Sequence, residues 1–190
     1  FLFRTDGVDE FISGVILYDE TIRQCGSDGK SLVDLLVGRG MIPGIKVDTG
    51  LRPLSSSNAE QVTEGLDGLA DRLSNYSELG ARFTKWRAVL NIGDGTPSRY
   101  AIGVNAHALG RFASLSQEAG LVPIVEPEVI MDGDHDVDSC FEATETTLRE
   151  VYYQLSAQNV YLEGTLLKPN MVISGKFATN RAAPERVAER

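Results

Sequence analysis

Four short apolar runs in this chain each end in one or two charged side chains, and these run ends constrain the fold most. The runs are GIKVD, FTKWRAVL, VPIVEPEV and LEGTLLKP. Because successive side chains of a β-strand point to opposite faces, charged residues spaced two apart share one face. These residues are Lys46 with Asp48, Lys85 with Arg87, Glu126 with Glu128, and Lys168 at the end of the last run. Burying unpaired charges is costly, so the pattern favours a parallel βα barrel whose mouth is an active site.

The composition predicts one folded chain outside the membrane. Its 190 residues are 42% hydrophobic, which is enough for a globular core, and the charge fraction does not indicate disorder. The sequence has no apolar run approaching eighteen residues and no recognisable secretion signal at Phe1, so we expect neither membrane insertion nor secretion. Cys25 and Cys140 are predicted to be reduced thiols. A formal charge of -9 argues against a nucleic-acid surface but permits an anionic small substrate.

Strand and helix patterns alternate along the chain. An apolar period of two predicts strands over residues 13–18, 43–48, 83–90, 121–128 and 160–168. A period near four predicts helices over residues 31–37, 62–79, 98–115 and 137–155. Gly80 marks the end of the helix over residues 62–79, and Pro184 marks the start of a further helix. The alternation predicts a parallel sheet flanked by helices, without a domain boundary before about Gly175.

The number of predicted strands is too small for a closed barrel. A barrel of this type closes with eight parallel strands, whereas five would leave two raw edges. The chain is therefore either an open sheet or part of a longer barrel. It begins at Phe1 without a methionine and stops at what reads as the entry to a helix. These features favour an internal piece of a longer protein.

Several longer motifs carry a specific resemblance. ISGVILYDET, PGIKVDTGLRPL, GLDGLADR, FTKWRAVL, LVPIVEPEV, DGDHD and YLEGTLLKPNMV resemble, in order and spacing, the middle of class I fructose-1,6-bisphosphate aldolases. The resemblance implies that residues 1–190 form one partial TIM-barrel domain, an α/β fold carrying about the second to sixth strands of a parallel (β/α)8 barrel. The first strand and the last two would be lacking, and with them an aspartate, a phosphate-binding arginine and serine, and the mobile C-terminal tail.

The resemblance also implies an activity. Members of this family are lyases that cleave fructose 1,6-bisphosphate reversibly to dihydroxyacetone phosphate and glyceraldehyde 3-phosphate through a lysine Schiff base, without a cofactor. They act in glycolysis, gluconeogenesis or the Calvin cycle. The expected partners are a phosphorylated sugar substrate and, in the full-length form, three further copies in a homotetramer. The expected location is the cytoplasm or, alternatively, the plastid stroma.

Lys168 is the candidate nucleophile. An amine at a strand end, poorly solvated and close to other cations, is more readily neutral and nucleophilic towards a ketone. The residue alone leaves a second interpretation open, in which the lysine snorkels out of the strand end. The resemblance of LEGTLLKPN implies that Lys168 forms the imine with the substrate's C2 carbonyl.

The other candidate residues are Glu126, Glu128, Lys85, Arg87 and Lys46. The resemblance implies that Glu126 shuttles protons during imine formation and that Glu128 pairs with a neighbouring cation. It further implies that Lys85 stabilises the C4 oxygen as the carbon–carbon bond breaks, and that Arg87 lies near the sugar's far phosphate or the acidic pair. Lys46 suits a phosphate or the substrate hydroxyls. Without the resemblance, Glu126 could be a loop carboxylate and the three cations part of a structural ion network.

Metal chemistry is not expected. The segment DGDHDVD alternates acidic residues but lacks the glycine and terminal glutamate spacing of an EF-hand, so a solvated loop is predicted. His107 and His135 are the two histidines, which do not suffice for the zinc site of metal-dependent aldolases. Two alternatives to the fructose-bisphosphate reaction remain open: another lysine Schiff-base barrel enzyme, and a non-catalytic interaction role.

Overall fold

Five of the seven strands form one parallel sheet in the computed structural model, which describes residues 2–57 and 59–190. In chain order the strands are β1 (Gly14–Leu17), β2 (Ile42–Lys46), β3 (Gly50–Pro53), β4 (Gln61–Glu64), β5 (Phe83–Leu90), β6 (Val122–Val129) and β7 (Leu166–Leu167). The sheet order is β1-β2-β5-β6-β7, and every neighbouring pair in it is parallel. β3 and β4 form a separate antiparallel hairpin.

Helices connect the parallel strands. They are α1 (Val8–Phe11), α2 (Asp19–Ile22), α3 (Leu32–Val37), α4 (Leu69–Glu78), α5 (Arg99–Glu118), α6 (Val137–Ala157) and α7 (Pro184–Ala188), with 3-10 turns at Leu2–Arg4 and Leu162–Gly164. The side chains of Ser31, Ser98 and Asp136 accept hydrogen bonds from backbone amides of the first turns of α3, α5 and α6. Such caps satisfy amides that have no partner within the helix. No helix in the described residues is long and apolar enough to cross a membrane.

The hydrophobic core lies on one face of the sheet, between the strands and the helices. Trp86 of β5 and Phe112 of α5 are both fully buried, with ring centroids 5.6 Å apart. Leu69 and Leu73 of α4 are also fully buried. Aromatic and aliphatic burial of this kind is the main stabilising contribution to such a layered fold.

The opposite face of the sheet is largely uncovered by the described residues. Its apolar side chains include Ile16, Ile42, Val122 and Leu166, with exposed fractions of 43%, 48%, 40% and 55%. Large apolar side chains grouped on one exposed face are unusual for an isolated soluble domain. The charged run ends lie on this same face, above the apolar side chains.

The predicted strands and their parallel arrangement are confirmed, but the last strand is shorter than predicted. Only Leu166–Leu167 of residues 160–168 pairs as a strand, because a 3-10 turn occupies Leu162–Gly164. The sequence-predicted α/β class with a parallel sheet is therefore present. The described strands form an open sheet with β1 and β7 at its edges.

The helix predicted over residues 62–79 is wrong in its first part. Val62 belongs to β4 of the hairpin, and α4 begins only at Leu69. Gly65 and Gly68 have φ values of +129° and +62°, which a continuous α-helix does not contain. The apolar spacing of Val62 and Leu66 matched a helical period by coincidence, and the hairpin was missed because its strands are only four residues long.

The other helix predictions are confirmed to within a few residues. Helices are present in the regions 31–37, 98–115 and 137–155 as α3, α5 and α6. Gly80 follows α4 with φ +102°, and Pro184 is the first residue of α7. Both observations agree with the ordinary roles of glycine after a helix and proline at its first position.

Candidate active site

The charged run ends meet at the carboxyl ends of neighbouring parallel strands. The sheet register places Lys46 of β2 beside Lys85 of β5, and Arg87 of β5 beside Glu126 of β6. The amide of Lys168 donates to the carbonyl of Val125, 2.9 Å away, which continues the β6–β7 ladder by one residue. Because all these strands run in the same direction, residues distant in sequence form one cluster on one face.

Glu126 lies at the centre of this cluster and is only 3% exposed. Its Oε1 accepts a hydrogen bond from Nζ of Lys168 at 2.5 Å. Its Oε2 lies 2.5 Å from Nζ of Lys85, in an ion pair. Burial acts to raise the pKa of Glu126, but the hydrogen bonds and positive charges of Lys168 and Lys85 outweigh it and hold the pKa below its ordinary value. One carboxylate thus bridges two ammonium groups.

The two lysines differ in their access to solvent. The side chain of Lys85 is 14% exposed, whereas that of Lys168 is 61% exposed. The predicted poor solvation of Lys168 is therefore not found among the described residues. Its ammonium is instead held by Glu126 and approachable from the open face.

Two further ion pairs lie beside the Glu126 group. Nε of Arg87 donates to Oε2 of Glu128 at 2.5 Å, and this hydrogen bond raises the pKa of Arg87 above its ordinary value. The Lys46 ammonium donates to the carboxylate of Asp48 and lies 5.8 Å from the centre of the Tyr18 ring. Asp48 is 8% exposed, so the carboxylate that pairs with Lys46 is buried. All six predicted site residues are thus on one face, in the Glu126 group and these two ion pairs.

Two features of the site were not predicted from the sequence. Asn170 follows Lys168 by two residues, and its Oδ1 accepts from the amide of Val129, 3.2 Å away, while its Nδ2 donates to Thr144 at 3.0 Å. These bonds tie the segment after Lys168 to β6 and α6. The asparagine after KP in LLKPN could have predicted this contact, because asparagine side chains commonly hydrogen-bond to backbone groups where a strand ends. Tyr18 was the second missed residue.

Comparison with known proteins decides the family. A family model described as "Fructose-bisphosphate aldolase class-I" matches residues 1–190. The chain belongs to this family. It is 57% identical over 188 residues to the "Probable fructose-bisphosphate aldolase class 1" of Xanthomonas campestris pv. campestris, covering 99% of this chain and 56% of that protein. It is 53% identical to "Fructose-bisphosphate aldolase 6, cytosolic" of Arabidopsis thaliana, covering 99% of this chain and 52% of that protein.

A solved aldolase structure has the same fold. Fructose-bisphosphate aldolase from Plasmodium falciparum, crystallised with TRAP and a small-molecule inhibitor, superposes with a TM-score of 0.94 at 45% identity. The match covers 97% of this chain and 54% of that one. This aldolase-family chain therefore spans about half the length of the relatives that it matches. The resemblance given by the motifs is confirmed.

The remaining candidate groups of this aldolase-family chain lie outside the cluster. The DGDHDVD segment leads into α6, where Asp136 accepts from the amide of Ser139 at 2.8 Å. His135 is buried rather than part of a solvated loop, and His107 is exposed, with Nδ1 3.4 Å from Gln154. Across residues 2–57 and 59–190, no group of three or more His, Cys, Asp or Glu is placed to hold a metal ion.

Acid should weaken the fold through Glu126. Because the pKa of Glu126 in the folded protein lies below its ordinary value of 4.5, the stability contributed by the ionised form is complete above that value. It is lost as the pH falls through the lowered pKa. In a chain of the relatives' length that contains this sequence, we expect the melting temperature to fall more steeply below about pH 4.5 in the wild type than in Glu126→Gln. Parallel pH curves for the two proteins, measured by calorimetry, would contradict this role.

Proposed function

We propose that the protein containing these residues catalyses the class I aldolase reaction, the reversible cleavage of fructose 1,6-bisphosphate to dihydroxyacetone phosphate and glyceraldehyde 3-phosphate. The observation that carries the proposal is the buried Glu126 carboxylate held between the ammonium groups of Lys168 and Lys85. A carboxylate at 2.5 Å from each nitrogen can exchange protons with an amine that becomes a nucleophile and with a second amine that polarises a substrate oxygen.

Lys168 is the proposed Schiff-base residue. Its neutral amine adds to the C2 carbonyl, forming a carbon–nitrogen bond while the carbonyl electrons move to oxygen. The resulting carbinolamine loses water and becomes a protonated imine. Glu126 takes one proton from the Lys168 ammonium to give the neutral amine, since its Oε1 is already hydrogen-bonded to that nitrogen. After addition, a second proton passes from the nitrogen to the new alkoxide, and protonated Glu126 gives its proton to the departing hydroxyl. Lys168 directly follows the last residue of β7, at the carboxyl end of the strand, which is the end at which a barrel of this type is open to substrate.

Lys85 is proposed to assist carbon–carbon cleavage. When the C3–C4 bond breaks, its electron pair moves to C3 and on to the iminium nitrogen, forming an enamine. The C4 hydroxyl gives its proton to the ionised Glu126 carboxylate beside Lys85, C4 becomes the aldehyde carbon, and glyceraldehyde 3-phosphate leaves. A cation beside the C4 oxygen stabilises the charge that develops there. Protonation of the enamine at C3 and hydrolysis of the imine then release dihydroxyacetone phosphate and restore the Lys168 amine.

Arg87 and Lys46 are proposed to bind the anionic substrate. Glu128 accepts a hydrogen bond from Nε of Arg87. The two terminal nitrogens of Arg87 make no hydrogen bond to the described residues. A guanidinium with two terminal N–H groups free suits a phosphate. Lys46 is held beside Asp48 at the same mouth, where it can interact with a phosphate or with sugar hydroxyls. Glu128 and Asp48 orient the two cations.

We further propose that residues 1–190 are one partial domain of a TIM barrel, contributing about its second to sixth strands. The uncovered apolar side chains of the sheet support this arrangement, because additional strands would bury them. The term full-length polypeptide is used below for a chain of the relatives' length that contains this sequence. Its homotetrameric state and its cytosolic location are proposals of the same kind, and the Arabidopsis thaliana relative is itself named cytosolic.

Borohydride trapping tests the proposed reaction. The full-length polypeptide is incubated with dihydroxyacetone phosphate, reduced with borohydride, digested and analysed by peptide mass spectrometry. We expect one added glyceryl phosphate on Lys168, because reduction of the imine leaves a stable secondary amine there. The other four lysines within residues 1–190, which are Lys30, Lys46, Lys85 and Lys176, serve as internal controls. A label on one of them instead of Lys168, or no label at all, would reject the assignment.

A further inference from the structure

Strand β2 separates from β5 at the mouth of the site. The last backbone bond between them runs from the amide of Val47 to the carbonyl of Lys85, at 3.1 Å. If the parallel ladder continued, the Val47 carbonyl and the Thr49 amide would bond to the amide and carbonyl of Arg87. Each of these four groups has a different partner instead. The opening therefore lies between Lys46–Asp48 on one side and Arg87 on the other.

On the β2 side, the Val47 carbonyl and the Thr49 amide hydrogen-bond to neighbouring segments instead of to β5. Nη1 of Arg72, on α4, donates to the Val47 carbonyl at 2.9 Å. The Thr49 amide donates to the carbonyl of Glu64, the last residue of β4, also at 2.9 Å. The second terminal nitrogen of Arg72 donates to the carbonyl of Gly65. Buried backbone groups need such partners, so these bonds hold β2 away from β5.

On the β5 side, the backbone amide and the backbone carbonyl of Arg87 each contact a side chain. Its amide lies 3.4 Å from Oδ2 of Asp48, and its carbonyl accepts a hydrogen bond from Oγ1 of Thr63 at 2.7 Å. Thr63 is 3% exposed. The β3–β4 hairpin therefore contacts both sides of the opening, through the Glu64 carbonyl and the Thr63 hydroxyl.

The hairpin is itself firmly held. Asn105 of α5 is 2% exposed. Its Oδ1 accepts a hydrogen bond from the Thr63 amide at 3.2 Å, and its Nδ2 donates to the Gln61 carbonyl at 2.9 Å. Glu60 accepts from the amide and hydroxyl of Ser98 at 2.7 and 2.6 Å. There is no room for a side chain at Gly65, because a Cβ there would lie 2.9 Å from the Thr49 amide nitrogen.

We propose that the β3–β4 hairpin is a wedge that sets the separation of Arg87 from the Lys46–Asp48 pair, and that Thr63 is a positioning residue for Arg87. This inference rests on the proposed function, in which these cations bind the substrate. Thr63 acts through the backbone of Arg87 and touches no reacting atom. Its hydroxyl fixes where the β5 strand end presents the guanidinium for the substrate's far phosphate.

A matched pair of variants tests the wedge. Thr63→Val keeps the side-chain shape and removes the hydroxyl, whereas Thr63→Ser keeps the hydroxyl. In the full-length polypeptide we expect Thr63→Val to raise KM for fructose 1,6-bisphosphate about fivefold, with kcat changed by less than about twofold, because a phosphate contact acts equally in the ground and transition states. Thr63→Ser should leave KM at the wild-type value. Equal KM values for all three proteins, or a fall in kcat at constant KM, would overturn the inference.

Two further measurements separate failure of the wedge from failure of the proposed reaction. Trapping with dihydroxyacetone phosphate, which lacks the far phosphate, should be the same in Thr63→Val as in the wild type. Loss of trapping in the wild type itself would reject the reaction. Hydrogen exchange followed by mass spectrometry does not depend on activity: peptides covering residues 46–50 and 86–90 should exchange faster in Thr63→Val than in Thr63→Ser. Identical exchange in the two variants would overturn the wedge whatever the activity is.

Discussion

Replacement of Lys168 by methionine should abolish fructose 1,6-bisphosphate cleavage in the full-length polypeptide. Methionine has a similar length but no amine, so it can form neither the carbon–nitrogen bond to C2 nor the imine that draws electrons from the C3–C4 bond. We expect kcat to fall on the order of 10³-fold or more, as is usual when a nucleophile is removed. The measurement is steady-state cleavage coupled to glyceraldehyde 3-phosphate detection.

The control for this variant is Lys30→Met. Lys30 is exposed on a loop before α3 and lies outside the charged cluster, so the same chemical change there should leave cleavage unaltered. Glu126 loses one of its two lysine partners in Lys168→Met, and a melting curve must therefore accompany the assay. A folded Lys168→Met protein that retained cleavage would show that the Schiff-base mechanism is wrong. Retained folding with lost trapping and lost cleavage would support it.

The 190 residues produced as an isolated polypeptide should lack a cooperative fold and measurable turnover. The sheet face opposite the core exposes apolar side chains on several strands, including Phe83, which is partly buried, and Leu166, which is 55% exposed. The edge strands β1 and β7 also present unpaired backbone groups among the described residues. Such faces and edges favour aggregation and loosely packed states.

Calorimetry and dye binding check this second prediction. We expect a broad, weak thermal transition and strong binding of a hydrophobic dye by the isolated polypeptide, whereas the full-length polypeptide should give a sharp transition and little dye binding. Turnover should be absent from the isolated polypeptide because a loosely packed sheet does not hold Glu126 between Lys168 and Lys85 as the proposed reaction requires. A sharp transition together with full activity would contradict the proposed partial-barrel arrangement.

The success of the sequence predictions varied with the range of the interactions involved. The strand over residues 83–90 was predicted with its bounds correct, since its alternation of buried and charged side chains is a local property of a β-strand. The helix over residues 62–79 was placed too early, because four-residue strands with two glycines nearby leave a weak local signal. The hairpin is defined by pairing between Gly50–Pro53 and Gln61–Glu64 and by its contacts with α5, which depend on the tertiary fold.

The residue pattern was enough to predict which charged side chains share a strand face, and the long motifs were enough to predict the family. Those features depend on the two-residue period of a strand and on contiguous residues. The folded structure was needed to show that Glu126 bridges Lys85 and Lys168, the latter 42 residues away in sequence. It was also needed to show that Lys168 is exposed among the described residues and that Thr63 donates to the Arg87 carbonyl. Sheet register, solvent exposure and the side-chain partners of the separating β2 and β5 strands arise from long-range packing, which a local residue pattern does not contain.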